Sequence, residues 1–378
     1  MPKEPKEKQT SAAALAQQLL CPPGNGVFTI HTAKEKKAEL HQQIFGETSP
    51  DKVEEAWKKS LAVISKTNDI PLMLAIPSDA GGGILRGANW GPLLLRGTFN
   101  QTYPDFSYQD LGDVRVIPHF LHDKYLNQAT IDSSRQALYQ SGQVDLPVSP
   151  LSICERFLHT LYRENPQAKV FGVGGDHSVS YPLVKAYLES RSQQKKNVAI
   201  LHFDAHTDLL ESRLGVDICF GSWAYPMLEL LNSPDQLIQV GIRSTGKDRS
   251  HWQNTMGVRQ YWAKEVRTSG IQMITSQIIE HLKSKAVDEV YISFDIDALD
   301  ESLAGATGTP EPDGLFQHEA VILIQEIYKH FAVGGADIVE IAPFTRPHAG
   351  INPEPETTLL NASLITFWLM TALKGGEK

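Results

Sequence analysis

From Ile70 onward, short apolar runs alternate with helical stretches, and this alternation restricts the fold more than any other feature of the chain. The runs are PLMLAIP, AKVFGVGG, NVAILHFDAH, QLIQVGIRS, EVYISFDID and ADIVEIAP. They are too short for helices and apolar on both sides of the two-residue period, so they read as strands buried on both faces. Between them lie VSYPLVKAYLESRSQ and HEAVILIQEIYKHF, with helical spacing. Strand–helix alternation predicts an α/β fold with a parallel sheet covered by helices. The last apolar stretch, TTLLNASLITFWLMTAL, reads as a closing helix. No internal repeat or low-complexity linker interrupts 70–378, so one large domain is expected there.

Residues 1–69 differ in character. The first eleven are rich in Lys, Glu and Pro and read as a mobile tail. KEKKAELHQQIF and SPDKVEEAWKKSLAVISKT then carry helical patterns. In the second, Ser49 is placed to cap, Pro50 takes the first helical position, and Val53, Trp57, Leu61 and Ile64 share a face. We read 1–69 as tail plus helical extension.

Composition narrows the function classes. The formal charge is −9, from 35 basic and 44 acidic residues, which argues against a general nucleic-acid binder. Cys21, Cys154 and Cys219 form no C-x-x-C pair and no even disulfide framework, which suits a reducing compartment. No apolar run reaches the roughly 18 residues of a membrane span. The N-terminal sequence mixes Lys and Glu without an apolar core, unlike a signal peptide. A cytoplasmic protein is expected, with neither membrane nor nucleic acid as partner.

The chemistry gathers where strands end. GGDHS supplies Asp176 and His177, FDAHTD supplies Asp204, His206 and Asp208, and SFDIDALD supplies Asp295, Asp297 and Asp300. Parallel sheets bind ligands at the carboxyl ends of their strands. Residues two apart on a strand face the same way, so Asp204 with His206, and Asp295 with Asp297, can each address one ion. Carboxylates crowded in this way require cations. Imidazole with carboxylate suits Mn, Fe, Ni, Co or Zn. Two bridged ions about 3.5–4 Å apart acidify a shared water, a sensible nucleophile for an electrophile as poor as guanidinium. The bland alternative is a set of buried caps and turn braces. We assign that role to Asp176 and Asp300, and read His202 as a satisfied core histidine.

GVGGDHSVSYP, HFDAHTD and SFDIDALDESLAGATGTPEPDGL together resemble the three signature blocks of the ureohydrolases: arginase, agmatinase and the guanidino-acid hydrolases. IPSDAGGGILRGANWGPLLLR, DLGDV, GIRS and DIVEIAP are similar too, in the same order. The resemblance implies a three-layer α/β/α fold, a catalytic domain over 70–378 and a dinuclear metal centre. It implies that His177, Asp204, Asp208 and Asp295 hold one ion, and Asp204, His206, Asp295 and Asp297 the other. Asp208 would also orient the nucleophile and pass a proton to the leaving amine, and Glu340 would pair with the substrate guanidinium. The bland alternative for Glu340 is an ion pair with Arg243 or Arg346. A homo-oligomer, trimer or hexamer, is implied, with metal-loading helper proteins as further possible partners.

The chain departs from that pattern at CFGSW, where Phe220 stands in place of a channel histidine. Phe220 and Trp223 are expected to form an aromatic wall for the substrate, with Trp able to lie over a cation. The LLESRLGVD loop has no match to the residues that hold an α-amino acid. These features resemble a branch of guanidine hydrolases associated with nickel, manganese being the alternative metal. Free guanidine hydrolysed to urea and ammonia is the leading expectation. Guanidino acids such as 4-guanidinobutyrate, and agmatine, are the alternatives. A single-zinc amidohydrolase like the histone deacetylases and an inactive regulatory subunit are the competing classes.

Overall fold

The six apolar runs all become strands. The computed structural model describes residues 10–26, 33–345 and 355–375; most of the expected tail, Arg346 and His348 lie outside them. Among the described residues nine strands form one sheet: β1 (Leu20–Cys21), β2 (Leu72–Ile76), β3 (Gln109–Val114), β4 (Val170–Gly174), β5 (Val198–Phe203), β6 (Leu237–Val240), β7 (Arg259–Tyr261), β8 (Glu289–Asp295) and β9 (Ala332–Val339). Their order is β1-β3-β2-β4-β9-β8-β5-β6-β7. All pairings are parallel except β1 with β3.

Every residue of β2, β4, β5 and β6 is buried, as the uniform apolar runs require when helices cover both faces. On one face Phe99, Ile278, Leu323 and Leu369 anchor the helices Gly91–Thr102, Ile271–Ser284, Gln317–His330 and Pro355–Lys374. On the other, Leu15, Trp57, Phe157 and Val184 anchor Ala12–Leu19, Pro50–Ser60, Pro150–Glu164 and Ser180–Gln193. The fold is α/β/α as expected. The closing helix forms, and among the described residues no helix is long and apolar enough to cross a membrane.

The N-terminal helices appear where their spacing puts them, at Lys34–Phe45 and Pro50–Ser60. Val53, Trp57, Leu61 and Ile64 are all buried, although Leu61–Lys66 tightens into a 3₁₀ turn. One detail differs. Ser49 occupies the cap position, yet its side chain makes no capping bond. Its backbone N–H instead donates to Glu47 Oε1 at 3.0 Å.

Three strands carry no apolar signal: β1 and β7 are very short, and β3 reads QDLGDV. Its two aspartates are buried because Arg96, itself without exposed surface, reaches both Asp110 and Asp113. Asp113 Oδ2 also accepts the N–H groups of Gly24 and Gly26, at 2.9 and 3.0 Å. Trp57 donates its indole N–H to the Leu111 carbonyl at 2.9 Å. Gly112 sits at φ +98°, where a Cβ would stand 2.2 Å from the Cys21 carbonyl oxygen. The N-terminal segment is thus sewn to β3 and shares a core with the sheet.

Burial lifts the Asp110 carboxyl to about 6 even with Arg96 beside it. Arg96→Met would leave two buried carboxylates without their cation. We expect a loss of about 3–5 kcal/mol of stability, read by urea denaturation; a loss below about 1 kcal/mol would show that the cluster does not hold this edge together.

Candidate metal centre

The four central strands, β4, β9, β8 and β5, are neighbours in that order, so their carboxyl ends lie side by side. Each end is turned sharply. After β4, Gly175 passes so close to Ser78 that a Cβ would lie 1.7 Å from its carbonyl oxygen. Asp176 then braces the turn: Oδ1 accepts from Ser178 N (2.9 Å) and Oδ2 from Gly81 N (3.0 Å). This aims His177 inward. After β5, Asp204 Oδ1 accepts the His206 N–H at 2.6 Å, and Asp208 takes φ +51°. After β8, Asp295 Oδ1 accepts the Asp297 N–H at 2.8 Å. After β9, Glu340 takes φ +62°. Left-handed φ at a residue other than Gly, Asn or Asp is uncommon and costs on the order of 1–3 kcal/mol, a cost that clusters at functional sites.

His177 Nδ1 stands 3.2, 3.0 and 3.1 Å from carboxylate oxygens of Asp204, Asp208 and Asp295. Its other nitrogen, Nε2, lies 3.2 Å from Ser293 Oγ. That hydroxyl donates to Asp337 Oδ1 at 2.8 Å, so it accepts from His177, and Nε2 carries the proton. Nδ1 is thus the nitrogen left to share a proton or a cation with three carboxylates, and among the described residues it has no hydrogen-bond partner. A separation of about 3 Å between one imidazole nitrogen and each of three carboxylate oxygens is that of neighbouring ligands each about 2.1 Å from a common ion. The donor set fits a divalent cation.

A second group adjoins the first. His206 Nδ1 lies 3.4 Å from Asp204 Oδ1 and 3.1 Å from Asp297 Oδ2, and ligand atoms of Asp204, His206 and Asp297 all lie within 4.8 Å of one another. Asp204 offers Oδ2 to the first group and Oδ1 to the second. Asp295 Oδ1 turns to the Asp297 N–H instead. His206 is the one member with appreciable exposure, 26% of its side chain, so the second group faces the opening.

Protein atoms alone leave the charges strained. Burial, with Asp297 and Asp204 alongside, pushes the Asp295 carboxyl well above the usual range. Burial and Asp204 raise Asp208. Burial favours neutral histidine, yet the surrounding carboxylates hold the imidazoles of His177 and His206 above their ordinary value. Asp204 goes the other way: burial disfavours its charge, but His177, His202 and His206 hold it low.

Glu340 adjoins this region and is itself buried. Its Oε1 accepts the His177 backbone N–H at 2.8 Å. Burial, then Asp295 and Asp176, push its carboxyl well up. Arg243 is not its partner: its guanidinium donates to carbonyls of Gly241, Asp297, Leu299, Glu311 and Pro312, bracing the loop that carries Asp297.

The two aromatic positions part company. Phe220 sits between loops, with its N–H on Gly81 O (3.0 Å), its ring against Gly83, and the Arg213 guanidinium 4.9 Å above it. Trp223 has no exposed surface. It packs against His177, donates its indole N–H to Asp208 Oδ2 at 3.0 Å, and so supports the ligands from behind instead of walling the substrate. Asp300 braces a turn, accepting from Ser302 N and Gly314 N. Sequence reasoning passed over Ser293, Asp337, Thr309 and Glu311. Thr309 donates to Asp297 Oδ2 at 3.0 Å, and Glu311 lies 3.6 Å from His206 Nε2. His202, read as a satisfied core histidine, is buried with both ring nitrogens hydrogen-bonded, and one of them lies close to His177, Asp204 and Asp208.

The chain is 37% identical over 177 residues to an N(1)-aminopropylagmatine ureohydrolase of Thermus thermophilus, a match covering 47% of this chain and 56% of that protein. The matched part is thus little more than half of that relative's length. It is 29% identical over 314 residues to a human mitochondrial guanidino acid hydrolase, covering 79% of this chain and 77% of that one. Among solved structures, proclavaminate amidino hydrolase from Streptomyces clavuligerus superposes with a TM-score of 0.62 at 23% identity, over 82% of this chain and 95% of that one. Arginase from Bacillus subtilis gives 0.59 at 21%, over 82% and 99%. At such identities the superpositions speak to the fold. The sequence profile of the arginase family matches residues 71–370; the chain belongs to that family.

Proposed function

We propose that this protein hydrolyses a C–N bond of a guanidinium compound and releases urea, with two divalent cations held by His177, Asp204, Asp208 and Asp295 on one side and Asp204, His206 and Asp297 on the other. The observation that carries this reading is His177 Nδ1 standing 3.0–3.2 Å from three buried carboxylates with no hydrogen-bond partner among the described residues. The ions would supply an acidified water as nucleophile and a Lewis acid at neutral pH. Asp208 would accept a proton and return it to the leaving amine, a role supported by the Trp223 indole N–H that orients its carboxylate. Glu340 keeps Oε1 on the His177 N–H, which leaves Oε2 for a planar cation. A single-zinc amidohydrolase would not call for a carboxylate, Asp204, presenting one oxygen to each of two His/Asp groups.

Two substrate readings follow. The curated relatives act, by their names, on aminopropylagmatine or guanidino acids, and this weighs toward a substrate with a tail. Arg213 over Phe220 would suit a carboxylate tail better than the cationic tail of agmatine. Free guanidine is the second reading. It is supported by Phe220, an apolar ring at the loop junction where a tail would need polar partners. Nickel and manganese are the metals we propose to try first; the ligand set suits both.

Urea release should be measured from guanidine, 4-guanidinobutyrate, agmatine and arginine after loading with nickel, manganese, cobalt or zinc. We expect turnover of guanidine or a guanidino acid and little of arginine. No urea from any pairing would end the hydrolase reading. Glu340→Gln should lower kcat/KM by at least ~30-fold, the equivalent of about 2 kcal/mol for one half of a buried charge pair, with metal content unchanged; retention of activity would remove Glu340 from substrate binding.

The raised groups also set a pH dependence. His177, His206, Asp208 and Asp295 bind protons more tightly in the folded, metal-free chain than when unfolded. Their contribution to stability therefore falls as pH rises, from about 4 for the carboxyls and about 6.5 for the histidines. Asp204, held low, loses its contribution only as pH falls below about 4. Metal binding displaces the extra protons. The rise in Tm on adding metal should grow between pH 5 and pH 8, as about 5 and 8 bracket the histidine range; a constant or shrinking rise would contradict the ligand assignment.

A further inference from the structure

One layer below the ligands, the sheet carries a row of buried polar residues in register. Asp337 on β9, Ser293 on β8, His202 on β5, Gln239 on β6 and Gln260 on β7 are cross-strand neighbours. All five are essentially without exposed surface. A row of this kind in a parallel sheet is costly unless every group is satisfied, so the direction of each bond can be worked out.

Trp262, partly exposed beyond β7, sets the direction, because an indole N–H can only donate. It donates to Gln260 Oε1 at 3.0 Å. The Gln260 amide nitrogen must then be the donor to Gln239 Oε1, at 2.8 Å. That fixes Gln239 in turn. One of its amide hydrogens goes to the Thr207 carbonyl at 2.6 Å, and the same nitrogen lies 3.0 Å from His202 Nδ1. A carbonyl can only accept, so Gln239 presents N–H groups, and His202 Nδ1 is left as an acceptor. The imidazole proton therefore sits on Nε2, 2.8 Å from Asp204 Oδ2. The chain starts at a group that can only donate and ends at a carboxylate that can only accept.

We propose that Trp262, Gln260, Gln239 and His202 form a one-way hydrogen-bond chain that holds the Nε2–H of His202 on Asp204, making His202 a positioning residue for the shared carboxylate and not a metal ligand. His202 has the proximity of a ligand to His177, Asp204 and Asp208. It lacks the free lone pair, since Nδ1 accepts from Gln239 and Nε2 carries the proton. By donating to Asp204 Oδ2, it fixes the carboxylate plane with Oδ1 turned to His206. This rests on the reading of the His/Asp groups as a metal centre.

The test uses the full chain, with nitrogen-labelled histidine, metal-free and loaded with manganese-free zinc or nickel. Two-bond proton–nitrogen correlations should show the His202 proton on Nε2, with no metal-bound nitrogen in that ring. Gln239→Leu should abolish the single tautomer and weaken metal retention against a chelator by about 10–100-fold, the usual effect of losing a support behind a ligand. Gln260→Leu, one residue further from the cluster, should act in the same direction but less; it keeps the test decisive if Q239L does not fold. A proton on Nδ1, a metal-bound His202 ring, or metal retention within about twofold of the parent in folded Q239L or Q260L would overturn the proposal. If the parent retains no metal, the metal-centre reading falls, and the tautomer decides this inference separately.

Discussion

Four carboxylates, Asp204, Asp208, Asp295 and Asp297, at the ends of the adjacent strands β5 and β8, crowd around the imidazoles of His177 and His206. Coulomb repulsion at these separations, away from bulk water, is not something a folded chain tolerates without compensation. Burial and mutual proximity raise Asp208 and Asp295, while His177 and His206 are pulled up by the same carboxylates. The protein supplies partial relief through N–H groups: His206 N to Asp204, Ala205 N to Asp297 and Asp297 N to Asp295. These bonds orient the oxygens but leave His177 Nδ1 without a hydrogen-bond partner among the described residues. Cations are the one agent that would relieve all of these groups together.

The sheet order is what makes this crowding possible. β4 and β5 are consecutive strands in the chain, yet in the sheet β9 and β8 are inserted between them. Each contributes one sharp turn, and two of the turns place a side chain at positive φ: Asp208 and Glu340. Both are the residues assigned a role with the reacting groups rather than simple ligation.

Much of this was legible from residue spacing. Uniform apolar runs gave the buried strands, because parallel strands between helix layers have no polar face to show. The two-residue spacings of Asp204 with His206 and of Asp295 with Asp297 gave the ligand pairs. What pattern reading missed follows from the same physics. β3 was invisible because its buried residues are aspartates neutralised by Arg96, an ion cluster that no hydropathy pattern displays. Trp223 looked like a pocket wall since an aromatic near a cationic substrate has that use; its indole N–H on Asp208 gives it a different one. His202 looked like a core histidine because nothing local revealed Gln239, on the neighbouring strand.

The polar row also explains why those strands are not wholly apolar. Ser293 precedes Asp295 by two residues and His202 precedes Asp204 by two, so both supports lie on the same face as the ligands, one step deeper; Ser293 reaches His177 and His202 reaches Asp204. An apolar residue at either place would pack as well, but it would leave the ligand above free to rotate. His177 is held from below by Ser293 and Asp337, and Asp204 by His202. Both histidines are fixed in the tautomer with the proton on Nε2, yet with opposite consequences. For His177 this frees Nδ1 toward the carboxylates. For His202 it turns the proton on them. The difference lies only in which nitrogen faces the cluster, and that is set by neighbours on other strands.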